Sequence, residues 1–212
     1  MTANLTLNSS VFDEYLSFSD QITATFTLRC IRPFLDIKTA SNIATSIVHS
    51  KLDYYNSLYY NLPNSQLSRL QHIQNSLTRA VVKAPKFSHT TPIFKSLHWL
   101  KINERIEYKI LSLTYKTLST AEPAYLHNLI SVQPPGRTRS SSLITIARPP
   151  SSSSLKITDR SFRYASPSLW NNLPASFRQP RSSSVTTVTP PITSSLFHSR
   201  LKTHMFHEFF PP

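Results

Sequence analysis

The stretch NSQLSRLQHIQNSLTRAVVK runs from Asn64 to Lys83, and its spacing decides how the chain is read. Leu67, Leu70, Ile73, Leu77, Ala80 and Val81 recur at three- and four-residue steps, so a helix places them on one face. One position back at most steps run Arg69, His72, Ser76, Arg79 and Lys83. The helix therefore buries one side and presents a cationic stripe roughly a quarter-turn away. Pro85 closes it.

The same period extends in both directions. Upstream, Ala40, Ile43, Ala44, Ile47, Val48, Leu52, Tyr55, Leu58 and Tyr59 predict a helix over Lys38–Leu62, with Asp36 as N-cap and Pro63 forcing its end. Downstream, Thr91 and Pro92 are placed as the N-cap and first residue of a short helix carrying Ile93, Phe94, Leu97 and Trp99. SLHWLKINERIEYKIL (Ser96–Leu111) reads as amphipathic. Its core is a helix over Asn103–Leu118 with a seam of Ile102, Ile106, Ile110, Leu113 and Leu118. A second cationic stripe, Lys101, Arg105, Lys109 and Lys116, accompanies that seam. Pro123–Ile130 adds a short helix. Helices joined by such short connections predict a mainly α fold, a small antiparallel helical bundle over 37–130.

The flanks read differently. Residues 1–36 show weak alternation, as in ITATFTL, and are expected to be irregular or short strand. Between 131 and 195 the chain is rich in Ser, Pro and Arg and poor in apolar residues, a composition that predicts a partly disordered segment. A helical island at 161–178, with Phe162, Tyr164, Leu169, Trp170, Leu173 and Phe177, interrupts it. An amphipathic helix over 196–210, with Leu196, Phe197, Leu201, Met205 and Phe209, ends it. Both are expected to dock, onto this bundle or onto a protein partner.

Composition narrows the function. The chain has 212 residues, a formal net charge of +13 and a pI near 10.1, which favours polyanionic partners, RNA or DNA. Gly136 is the single glycine, where average usage of ~7% gives roughly fifteen. Dinucleotide fingerprints, phosphate-cradling loops and nucleophile elbows all need glycine at fixed places, so none is present. A lone Cys30 makes no internal disulfide or cysteine-based zinc site. No signal-like leader or uncharged apolar run of ~18 residues is seen. The expectation is an intracellular protein, nuclear or cytoplasmic, not secreted and not in a membrane.

No residue pattern supplies catalysis, a metal site or a cofactor. The aspartates at 13, 20, 36, 53 and 159 are scattered, without the adjacent pair that two-metal chemistry uses. Phe12-Asp13-Glu14 reads as a surface turn. Glu104 and Glu107 share a helix turn but lie among Lys101, Arg105 and Lys109, which suggests local charge balancing. His198, His204 and His207 lack the remaining ligands of a zinc site, and Glu208 is expected on a different face. Trp99, Tyr108 and Trp170 are expected in the core rather than as stacking platforms. The two cationic stripes are the strongest signal.

Five segments occur in an order that carries a resemblance: KLDYYNSLYYNLP (Lys51–Pro63), RLQHIQNSLTRAVVKAPKFSHTTPIFKSLHWLKINERIEYKILSLTYKTL (Arg69–Leu118), PAYLHNLI (Pro123–Ile130), SFRYASPSLWNNLP (Ser161–Pro174) and SLFHSRLKTHMF (Ser195–Phe206). Together they resemble the C-terminal, post-palm region of the reverse transcriptase polyprotein of jockey-like non-LTR retrotransposons (LINEs). The resemblance implies a helical region beside a template–primer track. That family's palm carries Phe/Tyr-x-Asp-Asp, which this chain does not contain, so no catalytic residue is carried over. Tyr55 stands where the family typically has Cys, and ITATFTLRCIRPFLD looks compressed. The expected role is a non-catalytic, basic nucleic-acid-binding remnant whose Arg69, His72, Arg79, Lys83, Lys101, Arg105, Lys109 and Lys116 contact phosphates. The alternatives are part of an RNA-directed DNA polymerase whose catalytic palm is missing from this chain, or a protein-interaction module or decayed product with no role.

Overall fold

A computed structural model describes residues 19–54, 56–134, 143–150, 158–178 and 193–211. The chain is mainly α, and among the described residues the only β pairing is a single antiparallel bridge, Val132 to Ile146. Two compact units are formed: residues 1–55 with 65–101, and residues 56–64 with 102–212. The division falls inside the 37–130 span that periodicity assigns to one bundle.

The first unit begins with α1 (Ser19–Ile31), where the sequence suggests irregular chain or strand. Its threonines are accommodated by back-bonding. The Thr25 and Thr27 hydroxyls donate to the carbonyls of Gln21 and Thr23 one turn back, a bond a strand cannot make. α1 buries Thr25 and Leu28 and leaves Ile22 and Phe26 outside, which hides its helical period. A 3-10 turn, Arg32–Phe34, brings in Arg32. This buried cation donates from Nε to the Val81 carbonyl at 2.6 Å and from Nη1 to the Leu35 carbonyl. Val81 lies at the end of the helix Asn64–Val82, so the charge meets the negative end of a helix dipole.

α2 (Ile37–Ile43) opens as expected on Asp36, whose carboxylate accepts from the Lys38 and Thr39 amides at 2.9 and 3.1 Å. A hydrogen bond from the Thr39 hydroxyl, and then those amides, hold its pKa below the ordinary value. The chain then widens into a π-helical stretch, Ala44–His49, before α3 (Ser50–Tyr54). Ala40, Ala44, Val48 and Leu52 are buried, and the ring of His49 meets Trp99 edge-on at 4.3 Å. α4 (Asn64–Val82) and α5 (Thr91–Leu97) complete the unit. α5 is capped by Thr90 rather than Thr91, and Trp99 lies beyond its end. Ser96–Leu111 thus spans the end of α5 and the start of a separate helix, Ile102–Thr120.

In the second unit α6 (Ile102–Thr120) is the centre. Packed on it are the 3-10 turn Asn56–Tyr59, the short α7 (Ala124–His127), α8 (Phe162–Asn172) and α9 (Ser194–Phe209). The island and the terminal helix both dock here. Phe197 is fully buried, stacked on Tyr115 at 3.9 Å and near Trp170 and Phe177. Leu201 and Met205 continue the buried row, whereas Leu196 and Phe209 stay exposed. α8 approaches α6 closely through small hydroxyls, with Thr114 and Ser166 hydrogen-bonded at 2.8 Å.

Part of the Ser/Pro-rich segment is also tied in. Asn171 accepts from the Ile146 amide and donates to its carbonyl, at 3.0 and 2.8 Å, as a neighbouring strand would. Trp170 donates to the Ile144 carbonyl at 2.9 Å. The expectation of unpacked chain over 131–195 otherwise falls on 135–142, 151–157 and 179–192, outside the described residues, as does the Phe12-Asp13-Glu14 turn.

Glycine scarcity marks the helix ends. The left-handed positions that glycine usually takes are held by Asn61, Lys83, His98 and Ala121, with φ of 55°, 57°, 53° and 57°. At Lys83 and His98 the following amides reach back to the Arg79 and Phe94 carbonyls at 3.0 Å, which stops α4 and α5.

Candidate nucleic-acid interface

α4 carries the first cationic stripe, and its geometry follows from what the other face buries. Leu70, Leu77, Ala80 and Val81 are buried, and Leu67 and Ile73 half-buried. Two polar residues that hydrophobic spacing does not reveal lie on the same side. Gln74 is fully buried and donates to the Leu100 carbonyl at 2.8 Å; Thr78 donates to the Gln74 carbonyl at 2.7 Å. A buried amide with its partner in place fixes the rotation of α4 more tightly than apolar contact alone.

With that face inward, Arg69, His72 and Lys83 are exposed, and Ser76 and Arg79 half-buried. Arg79 is held: its Nε donates to the Ser88 carbonyl at 3.0 Å. An open groove of about 150 Å³ runs alongside, lined by Ile22, Thr25, Phe26, Arg29, Ile73 and Ser76. Arg29 therefore joins the neighbourhood of the α4 stripe. Reading residues 1–36 as irregular hid it, because its place depends on α1 being a helix.

The second stripe is less open than its spacing suggests. Arg105 and Lys109 are half-buried, Lys116 is exposed, and Lys101 is a half-buried residue of the first unit. α6 is contacted by α7, α8, α9 and the 56–59 turn, which leaves less of its surface to solvent. The eight residues thus divide between the units: Arg69, His72, Arg79, Lys83 and Lys101 in the first, and Arg105, Lys109 and Lys116 in the second.

The acids of α6 also depart from expectation. Glu104 is buried. Burial, and then the carboxylates of Glu104 and Glu208, push the Glu107 carboxyl above its ordinary range. Glu107 is accordingly governed by desolvation and like charge, not by the lysines and arginine nearby in sequence. Tyr60 is raised too, by burial first and then by Glu107, against a hydrogen bond from Ser168. Glu208 is not on a separate face from His204, since the two approach to 3.7 Å one turn apart. Among the described residues no group of three or more His, Cys, Asp or Glu is placed to hold a metal ion.

The aromatic residues considered as platforms are inside. Trp99 and Trp170 are buried, and the half-buried Tyr108 hydroxyl meets His198 Nδ1 at 3.3 Å. No described helix is long and apolar enough to cross a membrane. No family model, curated protein or solved structure matches the chain.

Proposed function

We propose that this chain is a non-catalytic nucleic-acid-binding module that contacts the phosphates of RNA or DNA. In this reading it corresponds to the post-palm region of a LINE-type reverse transcriptase polyprotein, which its segments resemble. The single observation that carries the proposal is the two-sided character of α4. One side is locked into the core through Leu70, Gln74, Leu77 and Val81, while Arg69, His72 and Lys83 stand in solvent with Arg79 between them.

Charge supports it: a net +13 draws polyanions from a distance, and Lys and Arg side chains then contact phosphates without reading bases. Affinity should be nearly blind to sequence and strongly dependent on salt. The test is a filter-binding titration of the full chain against generic RNA and DNA, with Arg79→Glu/Lys83→Glu as the variant. The double reversal should weaken binding to every sequence alike. Equal binding by variant and parent would overturn the assignment of α4. Primer extension by the purified chain with Mg²⁺ or Mn²⁺ would overturn the non-catalytic part.

A protein partner for the terminal helix would meet Leu196 and Phe209, because Phe197, Leu201 and Met205 are buried within the second unit.

A further inference from the structure

The loop after α4 presents a large apolar side chain to water. Phe87 is 89% exposed, in a chain that buries both tryptophans. A phenylalanine this exposed gains little from burial, and the loop holding it is hydrogen-bonded in place. Arg79 Nε bonds the Ser88 carbonyl at 3.0 Å, the Ser88 amide bonds the Pro85 carbonyl at 3.1 Å, and the Ala84 amide bonds the Arg79 carbonyl at 3.0 Å. Lys83 enters the loop in the left-handed conformation. Lys83, Lys86 and His89 are all exposed, and Lys86 Nζ stands 5.9 Å from the Phe87 ring centre, within reach of a cation–π contact.

An exposed ring flanked by cations on a pinned loop matches the needs of single-stranded nucleic acid. An unpaired base stacks on an aromatic face whatever its identity, while the phosphates either side seek positive charge. A duplex keeps its bases stacked on one another and has none to offer. We propose that the Lys83–His89 loop is a docking point for single-stranded RNA or DNA, with Phe87 as the base platform and Lys83 and Lys86 on the flanking phosphates. The proposal rests on the phosphate-binding reading of α4 and adds strand preference to it.

The test measures fluorescence anisotropy of the full chain with a labelled oligouridylate and with a hairpin duplex of matched charge. Phe87→Ala should weaken binding to the single strand by about fivefold or more. It should leave duplex binding and the salt slope of both unchanged, because no charge is removed. Phe87→Trp should restore affinity, and its emission should be quenched by the single strand, a signal that general loosening would not produce. Lys86→Glu should weaken both ligands and flatten the slope. Unchanged single-strand affinity in Phe87→Ala, or equal losses on both ligands, would overturn the platform while leaving the α4 reading intact. Absence of any salt-dependent binding by the parent chain would overturn both.

Discussion

Replacing Phe197 by alanine probes whether the terminal helix belongs to the fold. The ring is fully buried on α9, stacked on Tyr115 at 3.9 Å with an interplanar angle of 10°, and has Trp170 and Phe177 at 6.2 and 6.0 Å. Truncating a buried phenylalanine costs about 3–5 kcal/mol through lost transfer energy and the cavity left behind. Aromatic pairing adds about 0.5–1.5 kcal/mol per pair. A loss of roughly 4 kcal/mol is a large share of the ~5–15 kcal/mol that holds a domain together. For a unit of this size it should lower Tm by roughly 12–20 °C. Near-ultraviolet circular dichroism follows the tryptophan and tyrosine packing during the melt. Leu196→Ala, at a side chain 41% exposed on the same helix, is the control and should shift Tm by only a few degrees. Equal, small shifts in both variants would refute the docking of α9 on α6.

Other perturbations follow from the same contacts. Arg32→Ala removes a buried cation donating to two carbonyls and should cost about 2–3 kcal/mol in a urea melt; Arg32→Lys should not restore it, since one ammonium does not reproduce the fork. Ala121→Gly relieves a left-handed alanine after α6 and should stabilise the chain by about 0.5–1 kcal/mol, whereas Ala80→Gly inside α4 should destabilise it. Glu107 has a folded-state pKa above its unfolded value, so the folded state binds the extra proton between the two. Stability therefore falls as pH rises through that window, and the cost persists at neutral pH. Glu107→Gln should raise Tm near neutrality and lose its advantage below about pH 4, where both states are protonated.

The residues explain how far the sequence could be read. α4, α6 and α9 were legible because their buried faces repeat at the helical period over several turns, and Asp36 because a cap is a local bond. α1 was not, since Ile22 and Phe26 face outward and its buried residues, Thr25 and Leu28, trace no apolar stripe. An amphipathic face shows that something is buried without showing against what. Hence periodicity over 37–130 does not mark the division into two units, nor the partial burial of Arg105 and Lys109 on α6. The α8 and α9 partners of α6 come from the Ser/Pro-rich half, whose composition conceals the Asn171 clasp on Ile146. Within the candidate interface, the α4 stripe was visible as spacing. Arg29 and Phe87 were not, because their positions depend on a helix and a loop that periodicity does not mark.

The most direct measurement is the salt dependence of binding by the full chain to a single-stranded oligonucleotide. Each phosphate neutralised contributes about −0.7 to the slope of log affinity against log salt, so Arg69, Arg79 and Lys83 together predict about −2 or steeper. A slope that flattens by about 0.7 for each of these residues changed to alanine would support phosphate contact by α4. Affinity that is flat with salt, or a slope indifferent to all three substitutions, would contradict it.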